Sequence, residues 1–118
     1  MKLKRQVLIA GLLAVLVAGS PAMAGESAAG DPVIVEMKKF KFIPAELTVK
    51  VGTTVRWLNT EKRQYHTVWF RILGEKGSTE VWPGEHVDRK FDKPGDYPYV
   101  CEPHEHDYGM VGVVHVVE

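Results

Sequence analysis

The chain has 118 residues, with 15 basic and 15 acidic side chains and a sequence pI of about 7.0. That balance excludes a chain that is strongly basic overall and so gives no argument for nucleic acid or anionic membranes as partners. A single cysteine excludes a disulfide within the chain, and the length fits one small domain.

Lys2, Lys4 and Arg5 precede an apolar run over 7–18, and Ala22-Met23-Ala24 places small side chains at the spacing of a cleavage site. This layout predicts a secretory signal peptide over 1–24, because the apolar run is shorter than the ~20 residues that span a bilayer. Its removal takes three basic groups and no acidic ones, so residues 25–118 carry a formal charge of −3. Residues 25–32, GESAAGDP, read as a flexible leader, and 33–118 as one domain. The expected location is the periplasm, with no stable membrane insertion after cleavage.

Short β-rich runs follow. Val33–Met37, Phe40–Pro44, Leu47–Val51 and Val55–Asn59 are predicted strands, the last two alternating apolar and polar residues as half-buried strands do. Gly52-Thr53 marks the turn between them. A polar connection over 61–65 leads into another predicted strand, His66–Phe70, and the glycines and Pro83 of 74–84 mark a loop. His86–Phe91 alternates again, with Val87, Arg89 and Phe91 on one face; Arg89 suits that face only near a rim. Lys93-Pro94-Gly95-Asp96 is a turn, and Tyr97–Cys101 and Met110–Val117 are the last predicted strands. No segment holds a helical period over three turns. Strands of this number and spacing predict an all-β, single-domain Greek-key β-sandwich.

An exported domain sits in an oxidising space, where an exposed unpaired thiol is at risk. Cys101 is therefore either buried and inert or a thiol whose sulfur is held. Its neighbours favour the second reading: His104, His106 and Met110 follow within nine residues, and His66 begins a strand after a polar loop. A thiolate, two imidazoles and a weak thioether form the ligand set of electron-transfer copper. Structural zinc takes more thiolates or histidines. A Cys/His nucleophile would sit best at a helix N-terminus, whereas Cys101 ends a predicted strand.

In chain order, Val51-Gly-Thr-Thr-Val-Arg-Trp-Leu-Asn59 with His66, then Pro94-Gly-Asp-Tyr97-x-Tyr99-x-Cys101, then Cys101-Glu-Pro103-His104 with Gly109-Met110-Val-Gly112, resemble the cupredoxins, especially plastocyanin and pseudoazurin. The resemblance covers nearly all of the chain after the predicted signal peptide. It implies one type 1 copper ion held by His66, Cys101, a loop histidine and Met110. It further implies a monomer that carries single electrons between periplasmic redox proteins and is not an enzyme. The alternative use of the same site is Cu(I) handling for copper tolerance. An apolar patch around one ligand histidine is also implied, for which Met37, Pro44, Tyr108 and Val111 are the candidates.

Two features depart from the family pattern. Thr67 stands where the family has asparagine after the first histidine, so support of the ligand loop falls to a hydroxyl, which both donates and accepts. The loop spacing admits two readings: C-x2-H-x5-M through His104, one residue longer than in plastocyanin, or C-x4-H-x3-M through His106, as in azurin. Pro103 and the Gly109-Met110-Val-Gly112 run favour His104, and His106 competes for the same position. His86 and His115 read as surface or packing residues, and Trp57, Trp69 and Trp82 as core or rim aromatics. Lys38, Lys39 and Lys41 read as a solvated strand edge or a docking site for an acidic partner. Glu102, Glu105 and Asp107 crowd the ligand loop with negative charge.

Overall fold

The computed structural model describes residues 30–77 and 79–118. The predicted signal peptide, and the predicted leader up to residue 29, lie outside the described residues. No helix among the described residues is long and apolar enough to cross a membrane.

Seven strands are named among the described residues: β1 (Val33–Lys38), β2 (Lys41–Ile43), β3 (Glu46–Lys50), β4 (Thr54–Asn59), β5 (His86–Lys90), β6 (Gly95–Val100) and β7 (Val111–Val117). One sheet runs β2-β1-β4-β5 and the other β3-β7-β6. Pairing is antiparallel except where β1 meets β4 and β3 meets β7. The chain leaves the first sheet at β3, returns for β4 and β5, and leaves again for β6 and β7. This is the predicted Greek-key β-sandwich.

The two-residue period decides what faces inward. Val35 and Met37 of β1 and Val55 and Trp57 of β4 meet Leu47 and Val49 of β3 and Val114 and Val116 of β7 in one core. Trp57, Phe70 and Tyr99 fill its middle, with the Tyr99 ring 5.2 Å from Trp57 and 5.1 Å from Phe70. Gly112 of β7 makes room for this cluster: a Cβ there would fall 2.5 Å from the Tyr99 ring. Met37 is fully buried in this core, so it is not part of a surface patch. Tyr108, Val111 and Pro44 are exposed.

Two other expectations are refined. The segment His66–Phe70 is not a strand; His66 bridges to Val81 and Trp69 to Val100, single pairs with two different partners. A two-faced strand would alternate, but His66, Thr67 and Val68 are all buried as the segment passes from one partner to the other. On β5, Arg89 does lie at a rim, over the Phe70 ring at 4.7 Å and paired with Glu75.

Candidate metal centre

Asn59 ends β4 with its side chain turned inward, continuing the alternation of Val55 and Trp57. A buried amide needs partners. Its Nδ2 donates to the carbonyls of Gln64 (2.8 Å) and Val81 (2.7 Å), and its Oδ1 accepts from the Glu61 N–H (2.8 Å). These bonds fold the 60–65 connection back on itself. They deliver His66 to the end of the sandwich, where its own backbone N–H and carbonyl pair with Val81.

The second half of the site is a single loop. Cys101 follows β6 directly, and its N–H donates to the Met110 carbonyl at 3.0 Å, closing the loop at its neck. Inside the neck, Glu102–His104 form a 3-10 turn and Glu105–Tyr108 one turn of helix, α1. Pro103 supplies a fixed φ at the start. Gly109, at φ 63°, ends α1 with its N–H on the Glu105 carbonyl at 2.9 Å.

The two halves bring three side chains together. His66 Nδ1 lies 3.2 Å from His104 Nδ1, and Cys101 Sγ lies 3.3 Å from His104 Nδ1 and 3.8 Å from His66 Nδ1. His66 and Cys101 are fully buried and His104 is 7% exposed. Met110 is buried at the neck of the loop. His106 is exposed on α1 and stands outside the cluster. Thr67 supports the loop twice: its N–H points at Cys101 Sγ (3.3 Å), and its Oγ1 accepts the Glu102 N–H (3.1 Å). The hydroxyl does the work expected of an amide at that position.

Each imidazole is also held from its far side. His66 Nε2 lies 3.1 Å from Glu61 Oε2. The same oxygen accepts the N–H groups of Lys39 (2.8 Å) and Phe40 (3.4 Å), two residues at φ 56° and 57° in the β1–β2 turn. His104 Nε2 faces the side-chain amide of Gln64 at 3.3 Å. The Phe40 ring stands edge-on to His104 at 4.9 Å and lies flat on Tyr108 at 3.8 Å. Glu61, Gln64, Asn59 and Phe40 were not singled out from the sequence. Only Asn59 left a signal there, as a polar residue at an inward position of an alternating strand.

Burial sets the protonation states. It pushes the His66 pKa down against the opposing pull of Glu61. It lowers His104 too, helped by the neighbouring His66 charge and opposed by Glu61 and Asp107. It pushes the Cys101 thiol up, with the Thr67 hydrogen bonds opposing. With Glu61 accepting from Nε2–H, neutral His66 turns the lone pair of Nδ1 toward the other donors. Two imidazoles and a sulfur converging in a dry pocket suit a soft or borderline cation, which would displace the thiol proton and keep the sulfur as thiolate. A hard cation would require oxygen donors instead.

Residues 32–117 match the family of copper binding proteins, plastocyanin/azurin family. The chain is 35% identical over 89 residues to the amicyanin of Paracoccus versutus, covering 69% of this chain and 64% of that protein, slightly under two thirds of that relative's length. It is 32% identical over 115 residues to the chloroplastic plastocyanin of Tetradesmus obliquus, covering 90% of this chain and 79% of that protein. Among solved structures, a reduced tryptophan-to-tyrosine variant of amicyanin superposes with a TM-score of 0.65 at 35% identity, over 82% of this chain and 91% of that one. Donor chemistry, fold and sequence agree: the chain belongs to the plastocyanin/azurin family of copper-binding proteins, the cupredoxins, and its cofactor is one type 1 copper ion.

Proposed function

We propose that the protein is an exported carrier of single electrons between periplasmic redox proteins, and that it catalyses no reaction of its own. The observation that carries this reading is the burial of the cluster: an electron can cross the 7% exposed His104, but a substrate cannot reach Cys101 or His66. The predicted order of signal peptide (1–24), leader (25–32) and domain (33–118) supports export.

In this reading His66 Nδ1, Cys101 Sγ and His104 Nδ1 would hold the metal, with the Met110 thioether as a weak fourth donor, and His106 would take no part. Copper bound there supplies a one-electron couple between Cu(I) and Cu(II). The chain's part is to keep its donors in place through both states. Glu61 holds the proton of His66 on Nε2. Ligation through His104 Nδ1 puts that ring's proton on Nε2 as well, which requires the Gln64 amide to present its oxygen there. Thr67 N–H steadies the sulfur, and Thr67 Oγ1 ties the loop down through Glu102. Held at both ends, the donors need little rearrangement as the electron arrives or leaves.

Visible absorption and electron paramagnetic resonance of the Cu(II)-loaded protein test this. The expected result is an intense thiolate-to-copper band with narrow copper hyperfine splitting, both lost in Cys101→Ser. A weak band with ordinary wide splitting in the unaltered protein would remove Cys101 from the site and the electron-carrier reading with it.

A further inference from the structure

We infer that the metal end of the sandwich carries a cationic docking crescent that fits a redox partner with an acidic contact surface; this rests on the electron-carrier reading above. Five exposed cations, Lys38, Lys39, Lys41, Lys62 and Arg63, come from two separate stretches of sequence. Glu61 brings the stretches together. Its carboxylate takes the Lys39 and Phe40 N–H groups of the β1–β2 turn, and Lys62 and Arg63 follow it directly in the chain. Among the described residues none of the five is in an ion pair, whereas Arg56, Arg71, Arg89 and Lys90 each have an acidic partner.

The crescent borders the path to His104. Lys39 and Lys41 flank Phe40, which packs against His104 and lies flat on Tyr108, itself 54% exposed. Arg63 precedes Gln64, whose amide faces His104 Nε2. A protein seated on Tyr108 and these cations would bring its own redox centre toward the His104 ring. Protection of an edge strand accounts for Lys41 on β2. It does not account for Lys39 in the turn, or for Lys62 and Arg63 in the 60–65 connection. The acidic groups of the ligand loop do not cancel the crescent. Glu105 is paired with Arg71 at 2.7 Å, which leaves Glu102 and Asp107 of that loop against five cations.

The local sign is opposite to the formal charge of −3 over residues 25–118, and that opposition makes the test decisive. The copper-loaded protein is examined by cyclic voltammetry on gold coated with carboxylate-, ammonium- or hydroxyl-terminated monolayers at low ionic strength. Electron exchange should be about tenfold or more faster on the carboxylate surface than on the ammonium surface, with the gap closing as salt is added. The variant Lys41→Gln/Lys62→Gln/Arg63→Gln leaves the left-handed turn residues untouched and should lose the preference with its visible spectrum intact. The variant Lys90→Gln/Lys93→Gln, altered around the β5–β6 turn, should keep it. Faster exchange on the ammonium surface, or equal loss in both variants, would overturn the crescent. A normal couple on the hydroxyl surface with no preference between the charged ones would overturn the crescent alone. No reversible copper couple on any surface would overturn the carrier reading and the crescent together.

Discussion

Replacing Glu61 with alanine removes one acceptor and strands three donors. The magnitude follows from what each donor can do next. His66 Nε2–H sits in a fully buried ring and loses a charged partner at 3.1 Å; a hydrogen bond of that kind contributes about 1.5–3 kcal/mol. The Lys39 N–H, at 2.8 Å, is exposed and rebinds water, so its loss costs little. The Phe40 N–H bond is long at 3.4 Å and only half buried, and adds about 0.5–1 kcal/mol. Copper-free Glu61→Ala should therefore be less stable by about 2–4 kcal/mol. Urea unfolding should show this as a lower midpoint at unchanged slope. Glu61→Gln keeps an oxygen acceptor without its charge and should cost about half as much. Copper affinity of the alanine variant, measured by competition with a chelator, should fall by about ten- to a hundredfold. A stability loss below about 0.5 kcal/mol would refute the reasoning, because a buried, unpartnered imidazole N–H costs more than that.

Other outcomes follow from neighbouring contacts. His104→Ala should abolish the thiolate-to-copper band while His106→Ala leaves it unchanged, as visible titration with Cu(II) would show; the reverse pattern would assign the ligand to α1. Gly112→Ala drives a Cβ to 2.5 Å from the Tyr99 ring and should lower stability by about 1–3 kcal/mol in the same urea assay. His115 bridges Asp96 (2.7 Å) on β6 and Glu46 (3.5 Å) on β3, and these contacts raise its pKa above 6.5. A raised pKa means stability that is fully present below the unfolded value and lost as pH rises through the higher folded value. The melting-temperature gap between the unaltered protein and His115→Gln should thus be largest below pH 6.5 and shrink above it. It should also shrink with added salt, because the bridge is exposed.

The sandwich was legible because half-buried strands write their faces into the sequence. Leu47 and Val49, or Val55 and Trp57, alternate with polar neighbours and point inward as that pattern requires. The metal cluster was legible because chemistry restricts it: few roles other than soft-metal binding place a lone cysteine beside two histidines and a methionine. The segment at His66 misled because a short run of β-formers reads the same whether it pairs along its length or at two single residues. Helix α1 left no period because it is one turn long, although Pro103 and Gly109 bracket it. Glu61 was illegible for a different reason. Its partners on the β1–β2 turn lie more than twenty residues away in sequence, at 21 and 22 positions, and only the parallel pairing of β1 with β4 brings them alongside.

The place of β7 has a consequence in time. It is the last of the described strands to be made, yet it lies in the middle of its sheet, between β3 and β6. Until it arrives, β3 and β6 have no strand to pair with, and the ligand loop has no neck. On the proposed export route, a chain that crossed the membrane unfolded would have neither a second sheet nor a place for copper. Copper therefore cannot be held before the last strand is in place. Geometry and availability decide which ion fills a site of this kind, so on that route the choice of metal would rest with where folding finishes as much as with the donors presented.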